Sequence, residues 1–378
     1  MKILLYSPAN ARAVDQQSQA ILFKQMGHEV MLLTWMPEGI LHENFHAIGV
    51  AAYSTQVKGR SIFFFIKQIQ FFIRFCRKEK IDIAFCNGQG CGVVAGIAKY
   101  FIRTKTIYVR HNSVIYSDTN SAKDKWLNRL ANWLSPHIMA ISDMVKTQLL
   151  KEHVPANRIQ RINLCYDPRE YKNDVAGKSE EIQQLYKADL LVLYIARLVE
   201  MKRHVLAFEA VQLLNTEGID CKLVCIGEGE YKHILEQWIA TNAMEEKIIL
   251  AGWVSNVFDH IMASDIVLLL SASEASSHIV KEAAFCNKTV IVCRHVGDFD
   301  ETIIPGYNGF LVDPKDPVEE TAEILKRIIV DRSVLPKLSA NLLKTVEENF
   351  SMDAVRGDYE ELFRGIHQTN AAVHKKRF

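Results

Sequence analysis

The sequence predicts an α/β protein of two doubly wound domains in tandem, on three observations. Apolar runs of about six residues recur along the chain, each followed by a segment of helical periodicity. The 378 residues exceed what one hydrophobic core usually supports. A polar stretch without a strand pattern divides the runs into two sets.

In chain order the first set is KILLYS, EVMLLT, IDIAFC, KTIYVR and HIMAIS. Strands that alternate with helices imply parallel βαβ units. The opening MKILLYSPANARA offers a basic residue, an apolar run and an A-x-A site, but the run from Ile3 to Tyr6 is far shorter than a secretory h-region. It reads as the first strand. Gly88, Gly90 and Gly92 follow the third run, but the third glycine comes one residue early for a dinucleotide fingerprint and no acidic residue ends the next strand. They read as a tight strand-to-helix turn.

The divider is DPREYKNDVAGKSEEIQQLYKAD, which puts the boundary near residues 168 to 185. The expected domains are 1–168 and 189–350, joined by a linker over 169–188. The second set is LLVLYIA, CKLVCIG, KIILAG, DIVLLLS and KTVIVC, whose continuous hydrophobicity suits strands covered on both faces. After Asn308-Gly309-Phe310-Leu311-Val312 only helical segments follow. The last, SMDAVRGDYEELFRGIHQ, is capped by Ser351, and the segment 351–378 is expected to pack back on the first domain with a frayed tail.

An apolar share of 49% with 24% charged residues is globular composition. The greasiest window, SIFFFIKQIQFFIRFC, is interrupted by Lys67, Gln68, Gln70 and Arg74, so no membrane span is expected. Eight cysteines with no C-x-x-C fit buried thiols in a reducing cytoplasm and give no metal-ligand spacing. Residues 1–160 carry 20 lysines and arginines against 10 acidic residues, leaving 25 against 34 for the remainder. A basic first half points to an anionic partner, a membrane surface or phosphate, and not to nucleic acid, for which no recognition motif is present.

Ligands of doubly wound sheets bind at the carboxyl ends of the strands. SASEASSHIVKEAAF directly follows DIVLLLS: Glu274 falls in the strand-to-helix loop, Ser276-Ser277-His278 start the helix, and Glu282 lies about one turn in. Unpaired amides at such a start make an anion site. A plain capped helix with a solvated glutamate is the alternative. In IARLVEMKRH, Arg197 and Lys202 follow a strand end and suit a diphosphate. Alone they read as surface charges, and their meaning comes from pairing with the first segment.

The ordered segments IARLVEMKRH, LVCIGEGEYKHIL, ILAGWV, SEASSHIVKEAAFCNKTVIV and VGDFDETIIPGYNGFLVDPKD resemble retaining glycosyltransferases of family 4, also called glycosyl transferases group 1. Glu274 and Glu282 keep that family's E-x7-E spacing. The likeness spans residues 190 to 365, with echoes in GHEV at 27–30, IDI at 81–83, His111 and AISDMVKTQLL at 140–150. It implies the GT-B fold, two Rossmann-like domains facing each other across a cleft, the second taking the donor and the first the acceptor. By the same resemblance, Arg197 and Lys202 bind the donor diphosphate, Glu282 holds the ribose and Glu274 contacts the transferred sugar. Amides around Ser277, His278 and Ile279 touch sugar or phosphate, Trp253 and Val254 lie beside the base, and His111 faces the sugar. Gly227 offers a turn with backbone approach to the donor.

The family's Gly-Phe-Gly is replaced here by Ala275-Ser276-Ser277, whose hydroxyls could assist the amides. The glycine pair of the first loop is missing from SPANARAVDQQSQ, and Leu164-Cys165 stands in NLCYDP for the family's Asn-Gly. The implied activity is a retaining hexosyl or N-acetylhexosaminyl transfer from a nucleotide diphosphate sugar to a glycan or lipid-linked acceptor. No cofactor and no metal are expected, and Asp298 and Asp300 read as a donor-side loop. Glu274 and Glu282 are not a hydrolase pair, which must flank a scissile bond. The rival readings are a nucleotide-sugar 2-epimerase of similar fold and a non-catalytic sugar-nucleotide binding module.

One helical segment stands apart. Between Arg60 and Lys80, Ile62, Phe65, Ile69 and Cys76 share one apolar face that is expected to pack on the sheet. Phe63 and Phe71 then fall beside Lys67 and Arg74, as in helices that lie on membrane surfaces, unless a neighbouring loop covers them. This face is the candidate for a membrane or acceptor contact, peripheral on the inner side of the plasma membrane.

Overall fold

The computed structural model describes residues 1–57, 59, 62–112, 122–171 and 177–375. They form two compact units, Met1–Asp167 with Phe350–Phe378, and Pro168–Asn349.

The first unit holds a seven-stranded sheet built from β1 (Lys2–Ser7), β2 (Glu29–Thr34), β3 (Ala51–Ser54), β4 (Ile83–Asn87), β5 (Lys105–Arg110), β6 (His137–Ala140) and β7 (Ile159–Arg161). Its order is β3-β2-β1-β4-β5-β6-β7, with every pairing parallel. All five predicted strands are present. The edges β3 and β7, AAYS and IQR, are additional. Four and three residues are too few to show a periodicity, and each strand is held by one neighbour alone. Helices α1 (Val14–Gln25), α2 (Ile40–Ala47), α3 (Ile62–Glu79), α4 (Gly88–Ala98), α5 (Ala122–Leu134) and α6 (Asp143–Lys151) supply the crossovers and cover the sheet.

Helix α3 packs on the sheet through Phe65, Ile69 and Cys76, as expected, and the buried face extends to Gln68, Phe72 and Phe75, while Ile62 falls outside it. Its buried residues are Gln68, Phe72, Phe75 and Cys76, while Ile62 is 69% exposed. The polar Gln68 is tolerated because its amide is satisfied: Nε2 donates to Thr55 Oγ1 at 3.0 Å and Oε1 accepts from the Tyr6 hydroxyl at 3.4 Å. Phe71 is half-buried against the core formed with β1, β4 and α4 and stacks on Phe75 at 6.3 Å, so it is not among the exposed aromatics of the helix. Phe63 and Lys67 are exposed.

The second unit holds the parallel sheet β10-β9-β8-β11-β12-β13, formed by β8 (Leu190–Ile195), β9 (Cys221–Ile226), β10 (Ile248–Gly252), β11 (Ile266–Leu269), β12 (Val290–Cys293) and β13 (Phe310–Val312). All five predicted strands recur, with FLV added at one edge. The helices are α7 (Lys178–Leu185), α8 (His204–Thr216), α9 (Lys232–Thr241), α10 (Val257–Ala263), α11 (His278–Phe285), α12 (Phe299–Thr302), α13 (Pro317–Val330) and α14 (Val334–Phe350). The unit begins at Pro168 because Tyr171 inserts its ring between Phe258 at 5.0 Å and Phe285 at 4.8 Å.

The final helix α15 (Met352–Lys375) belongs to the first unit, where Tyr359 and Phe363 lie 5.0 and 5.4 Å from Phe23. Gln19 Nε2 donates to the Tyr359 hydroxyl at 2.9 Å. The helix runs through Lys375, beyond the end expected from its pattern. All eight cysteines are buried and unbridged.

Candidate functional site

In the second unit, loops at the carboxyl ends of β8, β9, β10 and β11 surround a cavity of about 530 Å³. The β8 loop carries Arg197 and Lys202, and the β9 loop packs against it through two glycines. Gly227 has φ +146°, and a Cβ there would meet the Ala196 carbonyl oxygen at 2.0 Å. A Cβ on Gly229 would meet the Leu198 carbonyl oxygen at 2.1 Å. The absence of side chains lets the Leu198 amide donate to the Glu228 carbonyl at 3.0 Å, which fixes the loop between the two cations.

Tyr194 supports this loop from below. Its buried hydroxyl donates to the Lys202 carbonyl and accepts from the Leu270 amide at 2.9 Å, tying the β8 loop to the end of β11. Burial pushes its phenol well above its ordinary range, so it stays a donor. His204 packs on the Tyr194 ring at 4.7 Å and is 1% exposed. Burial, helped by the Lys202 charge, pulls this imidazole down to about 4 and keeps it neutral.

Lys202 Nζ lies 2.5 Å from Glu274 Oε1, with both side chains about 85% buried (15% and 14% exposed). Arg197, Gly227, Val254 and Glu274 line the cavity together with Ser276, Ser277, His278 and Ile279. Trp253 completes the lining from the rim, where it is 73% exposed. The structure therefore collects, from four loops, residues the sequence suggested separately.

Two expectations change, for the Ser276–Ser277 pair and for Glu282. The Ser276 hydroxyl donates to Asp298 Oδ2 at 2.6 Å, and the Ser277 amide donates to Asp298 Oδ1 at 3.2 Å, so neither is directed at a donor. The amides of His278 and Ile279, at the first turn of α11, remain the helix-start candidates. Glu282 lies half-buried on the next turn of α11 and does not line the cavity. His111 belongs to the first unit, just after β5, with Nε2 2.9 Å from Asn87 Oδ1.

Sequence reasoning missed Tyr194, His204, Lys281 and the role of Asp298. A signal for Lys281 existed: it interrupts the apolar positions of α11, and such a lysine needs a buried partner. Asp298 is that partner and is 1% exposed. Asp300 instead accepts from the His295 amide, so the two aspartates serve different groups.

Two Rossmann-like units, the second with a cation-lined cavity at its strand ends, define the GT-B class of sugar-nucleotide enzymes. Residues 176–346 match the family model described as Glycosyl transferases group 1, and residues 19–170 match Glycosyltransferase Family 4. The chain belongs to glycosyltransferase family 4, and it is a glycosyltransferase that uses a nucleotide-sugar donor.

Its relatives include N-acetyl-alpha-D-glucosaminyl L-malate synthase of Bacillus anthracis, 24% identical over 297 residues, 77% of this chain and 76% of that protein. An N-acetylgalactosamine-N,N'-diacetylbacillosaminyl-diphospho-undecaprenol 4-alpha-N-acetylgalactosaminyltransferase of Campylobacter jejuni is 27% identical over 295 residues, 75% of this chain and 77% of that one. Among solved structures, Anabaena HepE in complex with UDP-glucose has a TM-score of 0.80 at 20% identity, covering 97% of this chain and 100% of that chain. Sucrose-phosphate synthase of Thermosynechococcus elongatus has a TM-score of 0.79 at 16% identity, covering 97% and 99%. Among the described residues no helix is long and apolar enough to cross a membrane.

Proposed function

We propose that this protein transfers a hexosyl or N-acetylhexosaminyl group from a UDP-sugar to a lipid-linked glycan, with retention and without a metal ion, in bacterial surface polysaccharide or glycolipid synthesis. The single observation that carries this reading is the Lys202–Glu274 pair beside Arg197 in one cavity. When a donor enters, its diphosphate takes the Lys202 ammonium and the Arg197 guanidinium, and the released Glu274 carboxylate accepts from sugar hydroxyls. Departure of the nucleotide concentrates negative charge on phosphate oxygens. Cations already fixed by the β8 and β9 loops stabilise that charge without reorganising.

Metal independence draws support from the aspartates, because Asp298 serves Lys281 and Asp300 serves the His295 amide. UDP is the first nucleotide to test because HepE binds it. A lipid-linked acceptor is suggested by relatives such as the Campylobacter jejuni enzyme. Transfer from UDP-glucose and UDP-N-acetylhexosamines, assayed in EDTA with the product anomer read by NMR, tests the reading. An inverted product, or turnover that needs added magnesium or manganese, contradicts it.

Peripheral membrane binding is the second part of the proposal. In the first unit, α3 exposes Ile62, Phe63 and Ile66 beside Lys67 and Arg74. Helix α5 exposes Trp126 and Trp133 beside Lys125 and Arg129, and α4 packs against both helices. Aromatic side chains among cations suit an anionic lipid interface.

A further inference from the structure

Behind the Glu274 loop lies an ion pair to which the donor chemistry assigns no role. Lys281 and Asp298 are 0% and 1% exposed. Asp298 accepts from Lys281 Nζ, from Ser276 Oγ at 2.6 Å and from the Ser277 amide at 3.2 Å. Lys281 Nζ also donates to Ser276 Oγ at 3.1 Å, which closes a triangle of three side chains. The residue before Asp298 bears on the same loop: Gly297 has φ +58°, and a Cβ there would lie 2.7 Å from the Glu274 Cβ. The loop after β12 thus presses on Glu274 with one residue and grips Ser276, Ser277 and Lys281 with the next.

A buried pair of this kind is weak evidence for stability, because apolar replacement of both partners is often neutral. Its geometry explains it better. Three donors from α11 and the loop before it converge on one carboxylate, leaving the segment between Glu274 and the helix little freedom to shift. We propose that Lys281, Asp298 and Ser276 are positioning residues that hold the Glu274 loop where the transferred sugar must meet it. This rests on the reading that the donor sugar lies against Glu274. The two cations that take the diphosphate in that reading, Arg197 and Lys202, both sit on the β8 loop, outside the braced segment. Loosening the brace should therefore lower kcat and spare the affinity for UDP.

The test uses Ser276→Ala, which removes one corner of the triangle, and the double variant Lys281→Met with Asp298→Asn, which leaves no charge unpaired. Hydrogen–deuterium exchange over residues 272–279, kcat with the sugar donor, and UDP affinity are measured on the full chain. Ser276→Ala should speed exchange in that segment and lower kcat, each roughly tenfold, the worth of one buried hydrogen bond. UDP affinity should stay within about twofold, and the double variant should melt near the parent while losing more kcat, on the order of 100-fold for a misplaced group. Parental exchange rates in both variants, parental kcat despite faster exchange, or UDP affinity falling in step with kcat would each overturn the brace. If the parent turned over no sugar donor, the proposed function would fail by itself, and the exchange rates would still decide whether the brace holds the loop.

Discussion

His204 makes the stability of the second unit depend on pH through one titratable group. In the unfolded chain its imidazole takes a proton near the ordinary value of 6.5, and in the folded protein it does so only near about 4. Between these values the unfolded state binds more protons, so stability falls as pH falls and is fully retained above the unfolded value. The linkage integral gives a loss of about 2 kcal/mol between about pH 7 and about pH 5, and about 3 kcal/mol below the folded value. The assay is urea unfolding of the full chain at both pH values, parent against His204→Phe, which keeps a ring on Tyr194 and cannot titrate. Both ring nitrogens of His204 are buried without a hydrogen-bond partner, so the variant need not lose stability at neutral pH. The parent should lose about 2 kcal/mol more than the variant on acidification. Equal losses would refute the reasoning and show that other groups govern the acid limb.

Gly227→Ala should disrupt the paired loops, because its Cβ falls on the Ala196 carbonyl. A stability loss of about 1–3 kcal/mol with weakened UDP binding is expected, read by melting temperature and calorimetry. Phe71→Ser should lower the melting temperature, since Phe71 packs on the α3 core, whereas Phe63→Ser should leave it nearly unchanged. Phe63→Ser combined with Trp133→Ser should weaken sedimentation with vesicles rich in phosphatidylglycerol, and unchanged sedimentation would remove the proposed membrane face. Glu274→Gln should keep UDP affinity and lose kcat with the sugar donor, in steady-state kinetics alongside calorimetry.

Most strands were legible in the sequence because the central ones are covered on both faces, and a run such as LLVLYI is buried at every position. The edge strands AAYS and IQR were not, because such short segments owe their state to a neighbour. On α3 the helical period was correct and the expected face holds at Phe65, Ile69 and Cys76, but it missed Gln68 and Phe72 and wrongly took in Ile62. Gln68 sits inside on the strength of hydrogen bonds to Tyr6 and Thr55, which no hydrophobic pattern records. At the site, Arg197, Lys202 and Glu274 could be found from their places after strands. What Ser276 faces could not, because its partner Asp298 is 22 residues away, across β12.

The most direct test of the donor site is calorimetric titration of UDP in EDTA into the parent and into Arg197→Met/Lys202→Met. The parent should bind without a metal ion, and the double variant should bind about 100-fold or more weakly, the worth of two charge-assisted hydrogen bonds. Binding by the parent only after magnesium or manganese is restored, or equal affinity in the variant, would contradict a diphosphate held by these two cations.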